Sequence, residues 1–358
     1  MKLLYVTRHF NHSGYIILKK MIEEDIDISA ILVKDEFSLL KVPFFRHIAI
    51  LIYYLKTKFY NGEFLKTINS EEILARKNRI KIIKTKSIKT NDFFEKLKDL
   101  NPDLIVLGGG WHELIPKRVF NFPKYGCINT HPSLLPEFRG TSITRWQVLK
   151  GVTLSGSTIH FVDDKFDTGG AIAQSKIKVD LNYTPQKLFK LLGESGADLM
   201  VKLLKNNKTD FHPEIFFPQN NEFHYKYFSK WNWSSKELTT IDWRKPLKQI
   251  HSIITASSQE SYMYTGPKTE IKGINYYIRK TEIIEKQKKI KKSKMEFPMI
   301  ENKTYFCVND EKELFLVRGN ENWVICLCKI QEVKNSKLKR AFKPLQKIKI
   351  ENGSIFNN

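Results

Sequence analysis

The chain of 358 residues contains few cysteines and no long apolar run. Its four cysteines are Cys127, Cys307, Cys326 and Cys328, and such sparse use is typical of a reducing compartment. Cys326 and Cys328 have no second pair nearby to complete a zinc set, so we expect no metal. The most apolar window, Ile48–Leu55, is far shorter than the ~20 residues that a spanning helix needs. The first apolar run is too short for a signal peptide, and a cytoplasmic protein without membrane partners is expected.

Acidic residues are also scarce relative to basic ones. The chain has 38 Asp and Glu against 60 Lys and Arg, which gives a formal net charge of +22. This charge favours anionic partners such as phosphates, nucleotides, RNA or an acidic surface, without choosing among them. Hydrophobic content of 41% and charged content of 27% are ordinary for a globular protein, and the length suggests two domains.

The N-terminal part lacks a full glycine fingerprint for nucleotides but alternates strands with helices. A buried strand is predicted at 3–6, a helix after the loop that ends at Gly14, and a second strand at 28–33. Ser13 and the loop amides could bind phosphate at the helix N-terminus, although simple capping by Ser13 is the favoured interpretation. Later strands at 80–83 and 104–107 extend the pattern. It predicts an α/β fold with a mostly parallel, Rossmann-like sheet.

Glycines and polar residues follow two consecutive strands of this sheet. Gly108–Gly110 follows the strand at 104–107, and a short apolar run ends in Asn129 and His131. Pro132 and Pro136 then stiffen the loop that leads to Arg139 and Gly140. Ligands bind beyond the carboxyl ends of parallel strands, so we expect both segments to line one site.

A second half of this site is predicted in the acidic turn that precedes Gly169 and Gly170. An amide, an imidazole and a carboxylate on loops at one edge suit acyl transfer between nitrogens. The amide of Asn129 can donate to a carbonyl oxygen that gains negative charge, and His131 can stabilise that charge or move a proton. A carboxylate of the acidic turn can orient the imidazole and raise its pKa. The alternative is a buried histidine and a capping asparagine without a catalytic role.

The C-terminal half has a different character. Residues 206–240 are predicted to be a linker, 241–333 a second domain of short strands with turn signals, and 334–358 a basic tail. The first 205 residues then form the catalytic domain. Within the aromatic segment 35–69, residues 37–60 are predicted to form a helix that packs on the core or on a partner subunit, the latter giving a homodimer. A lipid-facing helix is the less favoured alternative.

The motif from Asn129 to Pro136, with Arg139–Gly140 and Asp167–Gly170, resembles that of the folate-dependent formyltransferases. The resemblance implies N10-formyltetrahydrofolate as the formyl donor, no metal, and a catalytic set of Asn129, His131 and Asp167. It also implies an OB-like fold for residues 241–333. The pterin is then expected between two segments, with contacts from Gly110, Trp111, His112, Leu114, Phe161, Val162, Asp163 and Asp164.

Two acceptor amines remain open within this family. One is an amino sugar on a nucleotide diphosphate, used for surface polysaccharide such as O-antigen or lipopolysaccharide, and the other is initiator methionyl-tRNA. The basic charge favours tRNA, but Pro132 after the histidine and the opening Arg8-His9-Phe10 depart from the tRNA enzymes, so the nucleotide sugar is preferred. A binding protein without catalysis is a third alternative. Acceptor contacts are expected from Arg8, Phe10, Ser13, Gly14, Arg139 and Gly140.

Overall fold

The computed structural model describes twelve stretches of the chain: residues 1–8, 12–34, 71–207, 211–214, 217–219, 226–231, 240–257, 267–271, 274–285, 304–308, 314–318 and 323–332. Phe10, the aromatic segment 35–69 and the tail 334–358 lie outside the described residues. None of the described helices has the length and apolar character to cross a membrane.

The first half of the chain alternates strands and helices as the apolar runs predict. The elements are β1 (Leu3–Arg8), α1 (His12–Glu23), β2 (Ala30–Lys34), α2 (Glu71–Lys77), β3 (Lys81–Thr85), α3 (Asn91–Leu100), β4 (Leu104–Leu107), α4 (Lys117–Phe120), β5 (Cys127–His131), β6 (Arg139–Gly140), α5 (Ile143–Lys150), β7 (Leu154–Phe161), β8 (Ala171–Lys178) and α6 (Pro185–Asn206).

The described residues of the second half contribute the short strand β9, one helix and five longer strands. These elements are β9 (Tyr227–Phe228), α7 (Leu247–Ser257), β10 (Lys268–Ile271), β11 (Ile274–Glu285), β12 (Thr304–Val308), β13 (Leu314–Arg318) and β14 (Trp323–Glu332).

The central sheet has the strand order β3-β2-β1-β4-β5-β7-β8. The first five strands in this order, β3, β2, β1, β4 and β5, are parallel to one another, whereas β7 runs antiparallel to β5. The chain reverses direction across the sheet between β1 and β4, since β2 lies on one side of β1 and β4 on the other. Such a switch point opens a crevice at the carboxyl ends of the strands, where the loops after β1, β4 and β5 begin.

Both faces of the parallel strands are buried. Leu3 and Tyr5 pack in one apolar cluster with α1 and α6, while Leu4 and Val6 pack in a second cluster with α3. Successive residues of a strand point to opposite faces, so a strand buried on both sides requires the continuous apolar run seen at 3–6. The mostly parallel α/β sheet predicted from the sequence is therefore confirmed.

Helix ends follow local signals that the sequence contains. Thr90 caps α3, because its hydroxyl accepts a hydrogen bond from the Phe93 amide at 3.2 Å, and Asn101 ends the helix with a left-handed backbone. Thr184 caps α6 in the same way through the Lys187 amide at 3.2 Å, with Pro185 as the first helical residue.

The chain forms two compact units that interleave along the sequence. The first comprises Met1–Gly140, Ser155–Ile177 and Phe189–Tyr227, and the second comprises Thr141–Leu154, Lys178–Leu188 and Phe228–Asn358. The predicted domain boundaries at 205 and 241 follow composition along the chain. They stay predictions. In the division into compact units, α5 and the turn before α6 group with C-terminal elements, a contact that composition alone does not reveal.

The second unit contains a five-stranded antiparallel sheet in the order β10-β11-β14-β13-β12. Helix α7 packs on β11 and on α5. Short strands were expected in this region, and the described strands show this linear order. Closure into an OB-like barrel stays a prediction.

A buried histidine ties three elements of the second unit together. His251 on α7 is 1% exposed; its Nε2–H donates to the Leu181 carbonyl at 3.0 Å, and the Thr281 hydroxyl donates to Nδ1 at 2.9 Å. These are the roles of the two nitrogens in a neutral ring, the form that burial favours. Burial, only partly offset by the Leu181 carbonyl, lowers the pKa of His251 to about 4.

We expect the His251 ring to make folding stability depend on pH. Between its folded pKa of about 4 and an unfolded value of ~6.5, the unfolded chain binds a proton that the folded chain excludes. The folded state therefore loses about 3 kcal/mol from this group as the pH falls through that interval, and nothing above it. Urea unfolding of wild type and His251→Gln from pH 4 to 8 measures it. The stability of the wild type relative to His251→Gln should fall by about 3 kcal/mol between pH 7 and pH 4, and parallel curves would contradict the assignment.

Candidate active site

The loop between β5 and β6 is fastened to the neighbouring strands. The Thr158 hydroxyl on β7 donates to the Ser133 carbonyl at 2.6 Å and accepts from the Leu135 amide at 3.0 Å. Gln174 on β8 adds a hydrogen bond from Nε2 to the Leu135 carbonyl at 2.8 Å. The loop that follows His131 is thus held at its centre as well as at its ends.

His131, the last residue of β5, is buried and has a partner for each ring nitrogen. Its Nδ1 lies 3.4 Å from the Asp167 Oδ1, and its Nε2 lies 2.9 Å from the Phe138 carbonyl. The other Asp167 oxygen accepts from the Gly140 amide at 2.9 Å. Both Phe138 and Asp167 have positive φ, 56° and 57°, an unfavourable backbone for such residues that surrounding contacts must maintain.

The pair of His131 and Asp167 carries opposite charges in a buried place. Burial lowers the pKa of His131, but the Asp167 carboxylate outweighs it, so the pKa lies above its usual value. Burial raises the pKa of Asp167, and the imidazolium more than compensates, which leaves it at about 2. Near neutral pH the site therefore favours a carboxylate beside an imidazolium whose two N–H groups both have acceptors.

Asn129 lies two residues earlier on β5 and meets a second buried histidine. Its Nδ2 is 3.1 Å from the Nε2 of His160, which stands opposite it in the antiparallel β5–β7 register. His160 is 2% exposed, and its Nε2 lies 3.7 Å from the Asp167 Oδ1. The structure thus brings Asn129, His131 and Asp167 together and adds His160, which we did not predict from the sequence.

The turn that carries Asp167 is closed by its own side chains. The Thr168 hydroxyl donates to the Asp163 Oδ1 at 2.6 Å, and the Lys165 amide donates to the same oxygen at 3.2 Å. Asp164 is exposed at the tip of this turn. Asp163 therefore has a structural contact, and the predicted folate contacts of Asp163, Asp164, Phe161 and Val162 stay predictions.

Arg139 is buried rather than open to the site. Its Nε and Nη2 donate to the Gln219 Oε1 at 3.0 and 2.8 Å, and Gln219 in turn donates to the Gly169 carbonyl at 2.7 Å. This chain of hydrogen bonds connects β6 to the Asp167 turn. Gln219 lies in the segment predicted as a linker, and no local pattern distinguishes it there. The predicted acceptor contact of Arg139 stays a prediction.

The glycines after β4 have separate structural reasons. A Cβ on Gly108 would lie 2.0 Å from the Tyr5 hydroxyl, so close packing requires glycine there, whereas Gly109 and Gly110 have φ of 79° and 68°. Gly109 also approaches Ser13, whose Cβ would be 3.9 Å from an added Cβ. The start of α1 and the end of β4 therefore meet at the switch point.

The segment after these glycines is fixed by Glu113. Its carboxylate binds the Lys34 Nζ at 2.7 Å and accepts from the Ser87 hydroxyl at 2.9 Å. Burial raises the pKa of Glu113, but the hydrogen bond from Lys34 outweighs it, so the carboxyl stays ionised.

The buried Trp111 Nε1 has no hydrogen-bond partner among the described residues, while His112 and Leu114 are exposed. A partnerless indole N–H suits a ligand that offers an acceptor.

The residues predicted to contact the acceptor around α1 lie at the same edge of the sheet. Arg8 ends β1, and its buried Nε has no partner among the described residues. The Tyr5 hydroxyl donates to the Gly14 carbonyl at 2.7 Å, which fixes the first turn of α1 beside Ser13. Their role in binding stays a prediction, and Phe10 lies outside the described residues.

Comparison with known proteins agrees with this geometry. The profile of the family described as Formyl transferase matches residues 57–204. A methionyl-tRNA formyltransferase from Clostridium tetani is 31% identical over 228 residues, which cover 63% of this chain and 69% of that protein. This chain belongs to the formyltransferase family. A second methionyl-tRNA formyltransferase, from Clostridium beijerinckii, is 36% identical over 180 residues, 50% of this chain and 56% of that one.

A solved structure extends the likeness over nearly the whole chain. The N-formyltransferase from Helicobacter canadensis, in complex with folinic acid and dTDP-3-aminofucose, superposes with a TM-score of 0.58 at 19% identity. The match covers 93% of this chain and 100% of that one. At this identity the likeness shows the fold alone. By contrast, this formyltransferase-family chain spans only 50–56% of the length of the first curated relatives that it matches.

Proposed function

We propose that the protein transfers a formyl group from N10-formyltetrahydrofolate to the amine of a nucleotide-linked amino sugar, in the service of surface polysaccharide. The arrangement of Asn129, His131 and Asp167 carries the formyl-transfer part of this proposal. Formyl transfer by direct attack of the amine needs a hydrogen-bond donor for the formyl oxygen and a fixed positive charge near it. Asn129 can supply the donor, and His131 paired with Asp167 can supply the charge.

The folate supplies an activated formyl group when it is bound. The residues after β4 fit such a ligand, because the buried Trp111 N–H has no partner in the described part of the chain and Gly109 and Gly110 leave the backbone uncovered by side chains. Under this proposal the segment 110–114 and the turn 161–167 hold the pterin.

The acceptor amine attacks the formyl carbon directly. As its electron pair forms the new C–N bond, negative charge develops on the formyl oxygen, and the Asn129 Nδ2 donates a hydrogen bond to it. The carbonyl re-forms as the bond to folate N10 breaks, and the proton lost by the attacking nitrogen ends on N10. His131 has both nitrogens engaged by Asp167 and Phe138. This favours a fixed electrostatic role over a proton shuttle, since a shuttle would have to break the Phe138 hydrogen bond.

Two observations favour a nucleotide sugar as the acceptor. The Helicobacter protein bound to dTDP-3-aminofucose is matched over its full length in fold, whereas the sequence matches to the tRNA enzymes named above cover 56% and 69% of those proteins. In addition, Phe166 and Tyr227 are 37% and 46% exposed. Partial burial and the nearby Asp167 raise the pKa of Tyr227, so this ring lies close to the carboxylate. Phe166 directly precedes Asp167 in the sequence, and partly exposed rings of this kind suit the apolar face of a deoxysugar.

Methionyl-tRNA is the second candidate acceptor, since the curated relatives above are tRNA formyltransferases of up to 36% identity. The net charge of +22 is also compatible with RNA. The OB-like fold proposed for residues 241–333 is compatible with both acceptors, because it rests on the resemblance to the whole family.

A panel of acceptors tests the proposal. Purified protein and formyl-folate are incubated with dTDP-, UDP- and GDP-linked amino sugars and with charged initiator tRNA, and formylated products are measured by mass spectrometry. We expect one nucleotide sugar to react with kcat/KM at least ~100-fold above tRNA, a difference of ~3 kcal/mol in transition-state binding. His131→Asn serves as the catalytically impaired control. Formylation of tRNA alone would overturn the sugar assignment, and no reaction with any acceptor would overturn the enzyme assignment.

A further inference from the structure

His160 is a buried polar group beside Asn129 that the formyl-transfer scheme does not use. It lies on β7 opposite Asn129 and is 2% exposed. Its Nε2 lies 3.1 Å from the Asn129 Nδ2. A buried imidazole between an amide and a carboxylate has to choose one protonation state and one tautomer. That choice determines which atom of the Asn129 amide faces His160.

The tautomer follows from the other ring nitrogen. The Nδ1 of His160 lies 2.7 Å from the Phe161 carbonyl, and a carbonyl oxygen only accepts, so Nδ1 carries the hydrogen. In a neutral ring the Nε2 then has a lone pair and accepts. The partner placed there at 3.1 Å is the Asn129 Nδ2, which donates.

The charged groups around His160 are compatible with a neutral ring. Asp167, with its Oδ1 3.7 Å from Nε2, is beyond hydrogen-bond distance and is engaged by His131 and Gly140. Burial lowers the pKa of His160; Asp167 and Asp163 oppose this, the positive charge of His131 adds to it, and the net direction is downward. The two histidines that face Asp167 therefore divide their roles: His131 holds the proton and His160 offers the lone pair.

We propose that His160 is a positioning residue that fixes the rotation of the Asn129 amide, so that the remaining Nδ2 hydrogen is directed at the formyl oxygen. This inference rests on the proposed formyl transfer. A protonated His160 would present two N–H groups and would turn the amide, placing Oδ1 toward the ring. The donor to the formyl oxygen would then be lost, so His160 also sets a limit on activity at acidic pH.

Substitutions at His160 test the orienting hydrogen bond. A buried hydrogen bond is worth ~1–3 kcal/mol, which corresponds to a loss of about 10- to 100-fold in rate. We expect His160→Leu to lower the single-turnover rate by this factor, with KM for donor and acceptor changed less than about threefold. His160→Gln supplies an acceptor at nearly the same place and should recover most of the rate. Equal losses in both variants, or a loss confined to KM, would overturn the proposal.

A double-mutant cycle separates positioning from a merely structural effect. If His160 acts through Asn129, then His160→Leu should change the rate by less than about threefold in an Asn129→Ala background. Full additivity of the two substitutions would overturn the proposal, because His160 would then contribute independently of the amide.

A readout without catalysis keeps this inference separate from the proposed function. Nitrogen NMR of the free protein labelled at histidine reports which ring nitrogen of His160 carries the hydrogen. We expect the neutral Nδ1–H form at pH 7, with protonation only at lower pH. An Nε2–H tautomer or an imidazolium at pH 7 would overturn the role of His160 whether or not any acceptor is formylated, whereas failure of the acceptor panel alone concerns only the proposed function.

Discussion

Replacing Asp167 with asparagine should lower kcat for formyl transfer by at least about 10³-fold at pH 7, through a loss of ~4 kcal/mol of transition-state stabilisation. Asparagine can still accept the Gly140 amide hydrogen bond, so the turn keeps its main contact. It cannot hold a positive charge on His131, whose pKa is lowered by burial and by Arg139 and raised chiefly by the Asp167 carboxylate. The imidazole then becomes neutral and no longer stabilises the negative charge on the formyl oxygen.

The titration of His131 provides the physical check. In the wild type its pKa lies above the usual value, and in Asp167→Asn it should fall below that value, as measured by NMR. Asp198→Asn is the matched control, because it makes the same chemical change at an exposed residue of α6. There the Asp198 Oδ1 lies 3.5 Å from the Lys20 Nζ. A kcat within tenfold of wild type in Asp167→Asn, or an unmoved His131 titration, would remove Asp167 from its assigned role.

The same ion pair contributes to folding stability in a defined pH window. The lowered pKa of Asp167, about 2, contributes stability above the unfolded value of ~3.9 and loses it as the pH falls. The raised pKa of His131 contributes stability below ~6.5 and loses it as the pH rises through the folded value. Together they favour the folded state most between these two unfolded values, which lies on the acidic side of neutrality.

The parallel sheet was predictable because its signals are local. A strand buried on both faces needs an unbroken apolar run, and a capped helix needs a threonine or proline at its start, as at Thr90 and Pro185. The interleaving of the two units was not predictable in this way. It depends on α5 packing with α7, about 100 residues later, and no composition shift marks such a contact.

The residues of the candidate site also divide into those with a local signal in the sequence and those that depend on tertiary contacts. Asn129 and His131 were found from the sequence because polar residues end an apolar run at a strand terminus, and the structure places them at the sheet edge. Asp167 was assigned to them through the family resemblance, since its positive φ and its contact with His131 are tertiary features. His160 and Gln219 were missed because their importance depends on the antiparallel register of β5 and β7 and on a hydrogen bond across 80 residues of chain to Arg139.

The backbone of the Asp167 turn depends on one contact that admits no side chain. Gly169 packs directly on the main chain of Phe161, where an added Cβ would lie 2.0 Å from the carbonyl oxygen and 2.7 Å from the carbonyl carbon. That same Phe161 oxygen accepts the Nδ1–H of His160. The Gly169 carbonyl in turn accepts from Gln219, so one glycine connects three parts of the site.

Gly169→Ala is therefore expected to impair both folding and activity. Backbone atoms cannot give way as a flexible side chain does, so the turn has to move, at a cost of ~3 kcal/mol or more in the free energy of unfolding. A shift of the turn by ~1 Å would displace Asp167 and cost about 10²-fold or more in kcat. Thermal unfolding and steady-state kinetics on the purified variant measure the two effects separately.

Gly193→Ala makes the identical chemical change where the structure has room. Gly193 lies within α6, and the nearest atom to an added Cβ is the Ile16 Cδ1 at 3.6 Å, an ordinary van der Waals distance. Alanine is favoured over glycine in a helix interior by ~1 kcal/mol, so this variant should be as stable as the wild type or more so, with unchanged kcat. Since both variants add one methyl group, a Gly169→Ala protein as stable and active as Gly193→Ala would show that the Phe161 contact does not position Asp167.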